Sequence, residues 1–236
     1  MSRRVRALLE VVLCSGYPTQ LLILVALSAA GLSPRDAQGQ LSLAFVALLS
    51  LADAALLVSL VFLFLVADGD HPREVFLGHR PVLFEVTLGV LLIPVSFLIA
   101  VSVLLAARIA VPSLHNVAIS PFEGILQTSQ GRAILGVVVT VAGGLREEIQ
   151  RAFILRRFEQ SLGGAWLGLV LFSVVFGFGH IEQGRDVALA TAALGAFWGI
   201  VYLRRRSIAS TSVAHAGFNL SEILRHGVSA SITLAG

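Results

Sequence analysis

The sequence predicts an all-α, polytopic membrane protein: a bundle of about seven transmembrane helices with a polar active-site cavity between its C-terminal helices. Hydrophobic residues make up 56% of the 236 residues and charged residues 13%, and the mean hydropathy is +0.89. Soluble domains of this length are more polar. The apolar runs are long and continuous, whereas the strands of a membrane β-barrel are short and alternating, so the pattern favours helices.

A helix that crosses the hydrocarbon layer needs about 20 apolar residues. About seven such segments are predicted, centred on residues 17–32, 41–66, 84–111, 130–157, 164–181, 186–203 and 208–224. The first of them belongs to a single helix over residues 5–32, which we expect to be retained because no small-residue cleavage site follows a short apolar core.

The basic side chains are all arginines, since the chain contains no lysine. Clusters of them flank one set of span ends, at Arg3, Arg4, Arg6, Arg73, Arg80, Arg156, Arg157, Arg204, Arg205 and Arg206. The opposite loops carry little beyond Arg35, Arg132, Arg185 and Arg225. The positive-inside rule therefore predicts a cytoplasmic N terminus and an external C terminus. The lysine-free composition indicates a GC-rich bacterial genome, hence a bacterial cytoplasmic membrane. The net charge of +3 reflects contact with the lipid bilayer, and no nucleic-acid partner is expected.

The whole chain, 1–236, is predicted to form one integral membrane domain with a break at AVPSLHNVAISPF, residues 110–122. Residues 1–120 are predicted to be accessory helices, in which Asp53 and Glu85 are the only acids well inside apolar sequence. Residues 121–226 are predicted to be the catalytic core, because polar side chains recur in its apolar segments.

The motif REEIQR places Glu147, Glu148 and Arg151 in one of these segments. A charge inside a membrane costs about 2.5–3.5 kcal/mol and needs a partner. One interpretation is that Glu147 and Arg151, four residues apart, neutralise each other while Glu148 reaches the cytoplasmic interface. Neighbouring residues on a helix point about 100° apart, so one glutamate can react while the other is structural. Arg146 is expected to face the cytoplasm or to pack, without assigned chemistry.

Two further constellations contain histidine. Phe176 precedes His180 by one helical turn, and His215 shares a helix face with Asn219. Separately, these could be an interfacial histidine and a pair of helix-packing hydrogen bonders. Together with the glutamates they predict one hydrophilic pocket. It suits hydrolysis by a carboxylate-activated water, or a divalent metal such as zinc on Glu147, His180 and His215. The chain has no HExxH helix, and its single cysteine, Cys14, excludes a cysteine metal site.

With these three motifs in order, residues 140–224 resemble the CPBP intramembrane proteases, the family of CAAX prenyl endopeptidases and Abi-type bacteriocin-processing proteins. The resemblance implies an intramembrane endopeptidase in which Glu147 activates a water with help from His180, while His215 and Asn219 stabilise the oxyanion. Glu148, Arg151 and Phe176 would support the helices. The resemblance favours a glutamate-type enzyme without a metal over a metallo-type enzyme.

This sequence departs from the common EExxxR motif, because Arg151 comes one residue early and can reach either glutamate. The substrate is expected to be a peptide or a membrane protein, lipidated or not. Two other functions are compatible with the pattern: a non-catalytic scaffold or pseudoprotease that binds a transmembrane partner, and a transporter with a proton relay.

Overall fold

The computed structural model describes residues 1–235, with side chains as far as residue 226. Throughout these described residues the regular elements are helices, apart from an isolated β-bridge between Arg35 and Leu41. The predicted all-α class is therefore confirmed.

The predicted first helix over residues 5–32 is broken near its middle. Helix α1 spans Arg3–Leu13, helix α2 spans Tyr17–Ala29, and the two are bent by 42°. Gly16 occupies the break with a φ of +89°, a left-handed conformation that L side chains rarely adopt. Pro18 lies in the first turn of α2, where its missing N–H leaves no intrahelical bond unmade.

Within the described residues, three helices are long and apolar enough to cross a membrane on their own. They are α3 at Leu43–Ala67, α5 at Val82–Ala110 and α10 at Arg185–Arg205, with the short α4 at Pro72–Phe76 between the first two. The bent α1–α2 pair makes a fourth if it is one broken span. These helices support a membrane bundle, but the predicted count of about seven spans is not confirmed.

The remaining helices differ from simple spans in composition or length. After α6 at Glu123–Leu126, the predicted span 130–157 divides into three parts: α7 at Ser129–Val138, a π-helix at Val139–Arg146 and α8 at Glu147–Ser161. Helix α9 at Ala165–Phe178 has only 14 residues. Helix α11 at Ala209–Ala235 is long, but Ser, Thr, His and Asn side chains interrupt its apolar sequence.

Helix α11 packs against α5 and the π-helix, and α10 packs against α9 and α5. Small residues permit these close approaches. Gly89 of α5 lies against the backbone of α11, and Gly177 of α9 lies against Ala188 of α10. Trp198 of α10 is 1% exposed, and its Nε1 donates to Ser96 Oγ of α5 at 3.2 Å. Helices from both sides of residue 120 thus share one core.

Arginine side chains gather at one end of the bundle, here named the arginine-rich face. Arg157, 2% exposed, binds Glu10 of α1 at 2.6 Å, and Asp68 and Asp70 of the α3–α4 turn at 2.8 Å each. The turn after α10 joins the same end, since Ile208 N donates to Phe76 O at 2.8 Å. The arginines on this face are Arg6, Arg73, Arg156, Arg157, Arg204, Arg205 and Arg206.

The opposite end, named the arginine-poor face, is formed by the connections over residues 30–42, 111–122 and 179–184. Asp186, at the start of α10, links this helix to the end of α5 and to the connection over residues 111–122. Its buried carboxylate accepts from Arg108 Nε at 2.8 Å and lies 2.9 Å from His115 Nδ1.

Candidate active site

The acidic motif begins where the π-helix ends. π-Helical segments are rare and often occur at functional sites. Two glycines lie within this one, and a Cβ on Gly144 would stand 2.5 Å from Cβ of Ala216 in α11. The glycines therefore allow α11, which carries the second histidine motif, to approach Glu147 at the start of α8.

Glu147 and Glu148 have different environments. The Glu148 side chain is 0% exposed and is paired with Arg151, which is also 0% exposed. The Glu147 side chain is 18% exposed, and its Oε1 lies 4.0 Å from Nη1 of Arg146. The interpretation in which Glu147 pairs with Arg151 while Glu148 reaches the interface is therefore wrong. Arg151, which comes one residue earlier than in the common motif, instead binds Glu148, three residues before it.

His215 of α11 lies against both carboxylates. Its Nδ1 is 3.0 Å from Glu148 Oε1, and its Nε2 is 3.7 Å from Glu147 Oε2. Trp198 stacks on the imidazole, with ring centroids 3.9 Å apart and planes 21° apart. The stacking and the bond to Glu148 hold the ring so that its second nitrogen faces Glu147.

Aromatic rings surround the Arg151 guanidinium. Its Cζ lies 5.4 Å from the ring centroid of Phe172, 5.1 Å from that of Phe176 and 5.7 Å from that of Trp198. Cation–π contacts of this kind stabilise a desolvated cation by roughly 2 kcal/mol. The three predicted supporting residues, Glu148, Arg151 and Phe176, thus lie together.

His180 follows the last turn of α9 and is half-buried. Its Nδ1 lies 2.9 Å from Phe176 O, and the two rings meet edge to face with centroids 5.1 Å apart. Phe176 and His180, one helical turn apart in the sequence, therefore pack on each other. Phe176 also makes an edge contact with His215 at 6.1 Å between centroids. Within the described side chains, His180 is thus joined to His215 through this ring and not by a hydrogen bond.

A cavity of about 730 Å³ opens beside His180. Its wall is built from the connections of the arginine-poor face and includes Gln40, Phe122, Gln127 and Glu182. Of the residues that the sequence predicted to share one polar pocket, His180 lines this cavity, whereas Glu147, His215 and Asn219 are not part of its wall. The sequence also did not indicate that the connection before α3 contributes to a cavity.

Asn219 lies one turn after His215 on α11. A Cβ on Gly143 of the π-helix would stand 2.8 Å from Asn219 Nδ2 and 4.0 Å from His215 Nε2. The two polar groups of the last motif therefore lie over the same stretch of π-helical backbone, one turn before Glu147.

Arg146 is a buried residue of this region to which the sequence assigned no chemistry. It is 5% exposed, so of the two expectations it packs and does not face the cytoplasm, and it pairs with Asp53 of α3. Its Nη1 also donates to Gln150 Oε1 at 3.1 Å, and Gln150 Nε2 donates to Cys14 O at 2.7 Å. The sequence feature that could have indicated a role for Arg146 was Asp53, because an acid inside an apolar helix requires a cationic partner.

The alternative zinc ligands are Glu147, His180 and His215. Within the described residues, no three His, Cys, Asp or Glu side chains converge so that they could hold a metal ion. His180 Nδ1 is bonded to the backbone oxygen of Phe176, and His215 Nδ1 is bonded to Glu148. In each histidine, Nε2 is then the ring nitrogen left for another partner.

Comparison with known proteins gives a family match for the region that contains the three motifs. Residues 129–221 match the model described as type II CAAX prenyl endopeptidase Rce1-like, which confirms the resemblance inferred from the motifs. Another match, at 30% identity over 100 residues, is to the Protein NrfD homolog of Haemophilus influenzae. It covers 42% of this chain and 30% of that protein, so the chain spans less than a third of that relative. No solved structure matches the chain.

Proposed function

We propose that this chain, which carries the CAAX prenyl endopeptidase family match over residues 129–221, is a glutamate-type intramembrane endopeptidase. The observation that carries the proposal is the contrast between the two adjacent glutamates. Glu148 is fully buried in an ion pair, whereas Glu147 is partly exposed beside His215. A partly exposed carboxylate can bind and deprotonate a water, while a paired and buried one is committed to structure.

Glu147 is the proposed general base. Its carboxylate takes a proton from a water as the water oxygen attacks the carbonyl carbon of the peptide bond, and later returns that proton to the leaving amine. His180 would orient the same water. A carbonyl oxygen only accepts hydrogen bonds, so His180 Nδ1 donates to Phe176 O. The other nitrogen of the neutral ring is then an acceptor available to the water.

His215 and Asn219 are the proposed donors to the oxyanion of the tetrahedral intermediate. The amide nitrogen of Asn219 donates in its only charge state. Because the Glu148 carboxylate accepts from His215 Nδ1, Nε2 can donate to the oxyanion when the ring carries both protons. A single donor of this kind accounts for about 10²–10³ in kcat where it has been measured.

The same proposal includes an orientation. The arginine-rich face would lie in the cytoplasm, together with the N terminus, and the membrane would be that of a bacterium. The substrate would be a peptide or a membrane protein, lipidated or not, that enters the bilayer or touches its surface. The gathering of the arginine clusters on one face supports the orientation.

The test uses the purified full-length protein in detergent with fluorogenic peptides: a farnesylated peptide ending in a CAAX sequence, the same peptide without lipid, and a transmembrane peptide. Glu147→Gln and His180→Ala should abolish cleavage, and Asn219→Ala should reduce kcat by about 10²–10³. Glu74→Gln, at an exposed carboxylate on the arginine-rich face, is the matched control and should cleave as the wild type does.

Unchanged turnover by Glu147→Gln would reject the mechanism. Capture of the same intact partner by wild type and Glu147→Gln, without product from either, would favour the scaffold alternative.

A further inference from the structure

We infer that the cavity beside His180 is the substrate entrance, and that an extended polypeptide reaches Glu147 through it from the arginine-poor face, the outer side of the membrane. This inference rests on the proposed peptidase function and adds the route and the side of entry. Its starting observation is that His180, one of the proposed catalytic residues, is also part of the cavity wall.

The cavity has the size of a ligand site. Its volume of about 730 Å³ lies within the range of about 300–1,000 Å³ that such sites occupy. Its walls come from three separate segments, at residues 35–41, 119–127 and 179–183, the second of which includes the short helix α6. A peptide lying between them would have His180 at one edge, beside the Phe176 ring that contacts His215.

The chemistry of the wall suits a polypeptide backbone better than a lipid chain. Gln40, Gln127 and Gln183 offer amide groups, each of which can both donate and accept, as the N–H and C=O of an extended peptide require. Phe122 and Ile119 supply apolar surface between these polar groups. Gln127 Nε2 already donates to Glu123 Oε1 at 2.6 Å. A prenyl chain alone would leave the amides of Gln40 and Gln183 without partners, which is unfavourable once water is displaced.

Between Glu147 and the arginine-rich face, packed side chains fill the space. Helix α8 continues from Glu147 towards the arginine-rich face, and its side chains there are closely packed: Arg151 and Phe153 are 0% exposed, Leu155 is 1% and Arg157 is 2%. A peptide coming from the arginine-rich face along α8 would have to displace this packed layer, whereas the cavity on the arginine-poor face is already open.

The side from which the substrate enters follows from the different arginine content of the two faces. The positive-inside rule places the arginine-rich face in the cytoplasm, so the cavity faces outward. The substrate class is then a polypeptide on the outer side of the membrane, such as an exported protein or the outer segment of a membrane protein, and not the C terminus of a cytosolic protein.

The experiment uses single introduced cysteines in the full chain, since the natural Cys14 is 0% exposed and should resist labelling. Gln127→Cys lies in the cavity wall, and His79→Cys is the matched exposed position on the arginine-rich face. A membrane-impermeant maleimide is added to right-side-out and to inverted vesicles. The purified variants are then assayed with the fluorogenic peptides before and after complete reaction with a bulky maleimide.

We expect Gln127→Cys to be labelled only in right-side-out vesicles and His79→Cys only in inverted ones. Modification at position 127 should reduce cleavage at least tenfold relative to the same unmodified variant, while modification at position 79 should leave cleavage unchanged. Labelling of position 127 in inverted vesicles alone, or full cleavage after its modification, would overturn the inference while leaving the peptidase function intact. Absence of cleavage by the wild type would instead reject the proposed function, and the inference with it.

Discussion

His215 Nδ1 lies 3.0 Å from Glu148 Oε1, so the second glutamate of the acidic motif holds the histidine of the last motif. The same carboxylate is paired with Arg151. An imidazole, a carboxylate and a guanidinium therefore form one buried hydrogen-bonded unit that joins α8 to α11. Glu147, next in the chain, stays outside this unit and retains some exposure.

Loss of charge should destabilise the fold strongly at Glu148 and only slightly at Glu147. Glu148→Gln leaves the buried Arg151 cation without its counter-charge, and breaking such a pair costs about 3–5 kcal/mol. Glu147→Gln removes a partly exposed carboxylate and should change the free energy of unfolding by less than about 1 kcal/mol. The melting temperature in detergent, followed by tryptophan fluorescence, should fall markedly for the first variant alone. Equal melting temperatures would contradict the structural role of Glu148.

Gly143 should be needed for the position of Asn219. A Cβ there would stand 2.8 Å from Asn219 Nδ2, so Gly143→Ala should displace the amide while the fold is retained. Displacements of about 1 Å can reduce rates by about 10², which peptide cleavage assays would detect. Gly136→Ala is the matched control, because its Cβ would make an ordinary 3.4 Å contact with Leu220. Loss of activity in both variants, or in neither, would count against this role of Gly143.

The Asp53–Arg146 pair should hold the accessory helices against the site. Asp53→Ala removes the close carboxylate partner of the buried Arg146 guanidinium, which then has only the more distant Glu147 carboxylate, 4.0 Å away. We expect a loss of about 3–5 kcal/mol. Arg146→Met combined with Asp53→Ala removes both charges and should be less destabilising than the sum of the two single changes. Unfolding of all three variants would measure the coupling; strict additivity would show that the pair is not coupled.

Acid should weaken the arginine-rich face. Burial by itself would raise the pKa of Asp70, but hydrogen bonds from Arg156, Gln160 and Arg157 outweigh it and hold the pKa below its ordinary value. The folded pKa is thus below the unfolded one, so the stabilisation is complete above the unfolded value of about 3.9 and is lost as pH falls through the folded pKa.

The corresponding measurement compares melting temperatures of wild type and Asp70→Asn from pH 7 to pH 3. The wild type should melt higher at pH 7, and the difference should shrink steadily below about pH 4 as Asp70 becomes protonated. A difference that stays constant across this range would contradict the pKa shift. Glu159, whose pKa is lowered by a hydrogen bond from Arg206, should behave in the same way in Glu159→Gln.

Some features of the site could be predicted from residue spacing and others could not. The turn from Phe176 to His180 and the shared face of His215 and Asn219 depend on helical periodicity alone, which is local. The partner of Arg151 could not be predicted, because spacings of three and four residues both allow contact on a helix. The break at Gly16 and the π-helix before Glu147 depend on packing against other helices, which a single segment of sequence does not reveal.

The sequence by itself determined the all-α class, the resemblance of residues 140–224 to the CAAX prenyl endopeptidase family and the identities of the polar residues, because these depend on composition, ordered motifs and local spacing. Only the tertiary structure decided that Glu148 is the partner of Arg151 and His215, that Asp53 meets Arg146 from a distant helix, and that His180 borders a cavity on the arginine-poor face. The physical reason is that a buried charge must find a counter-charge somewhere in the fold, and which one it finds is set by how distant helices pack.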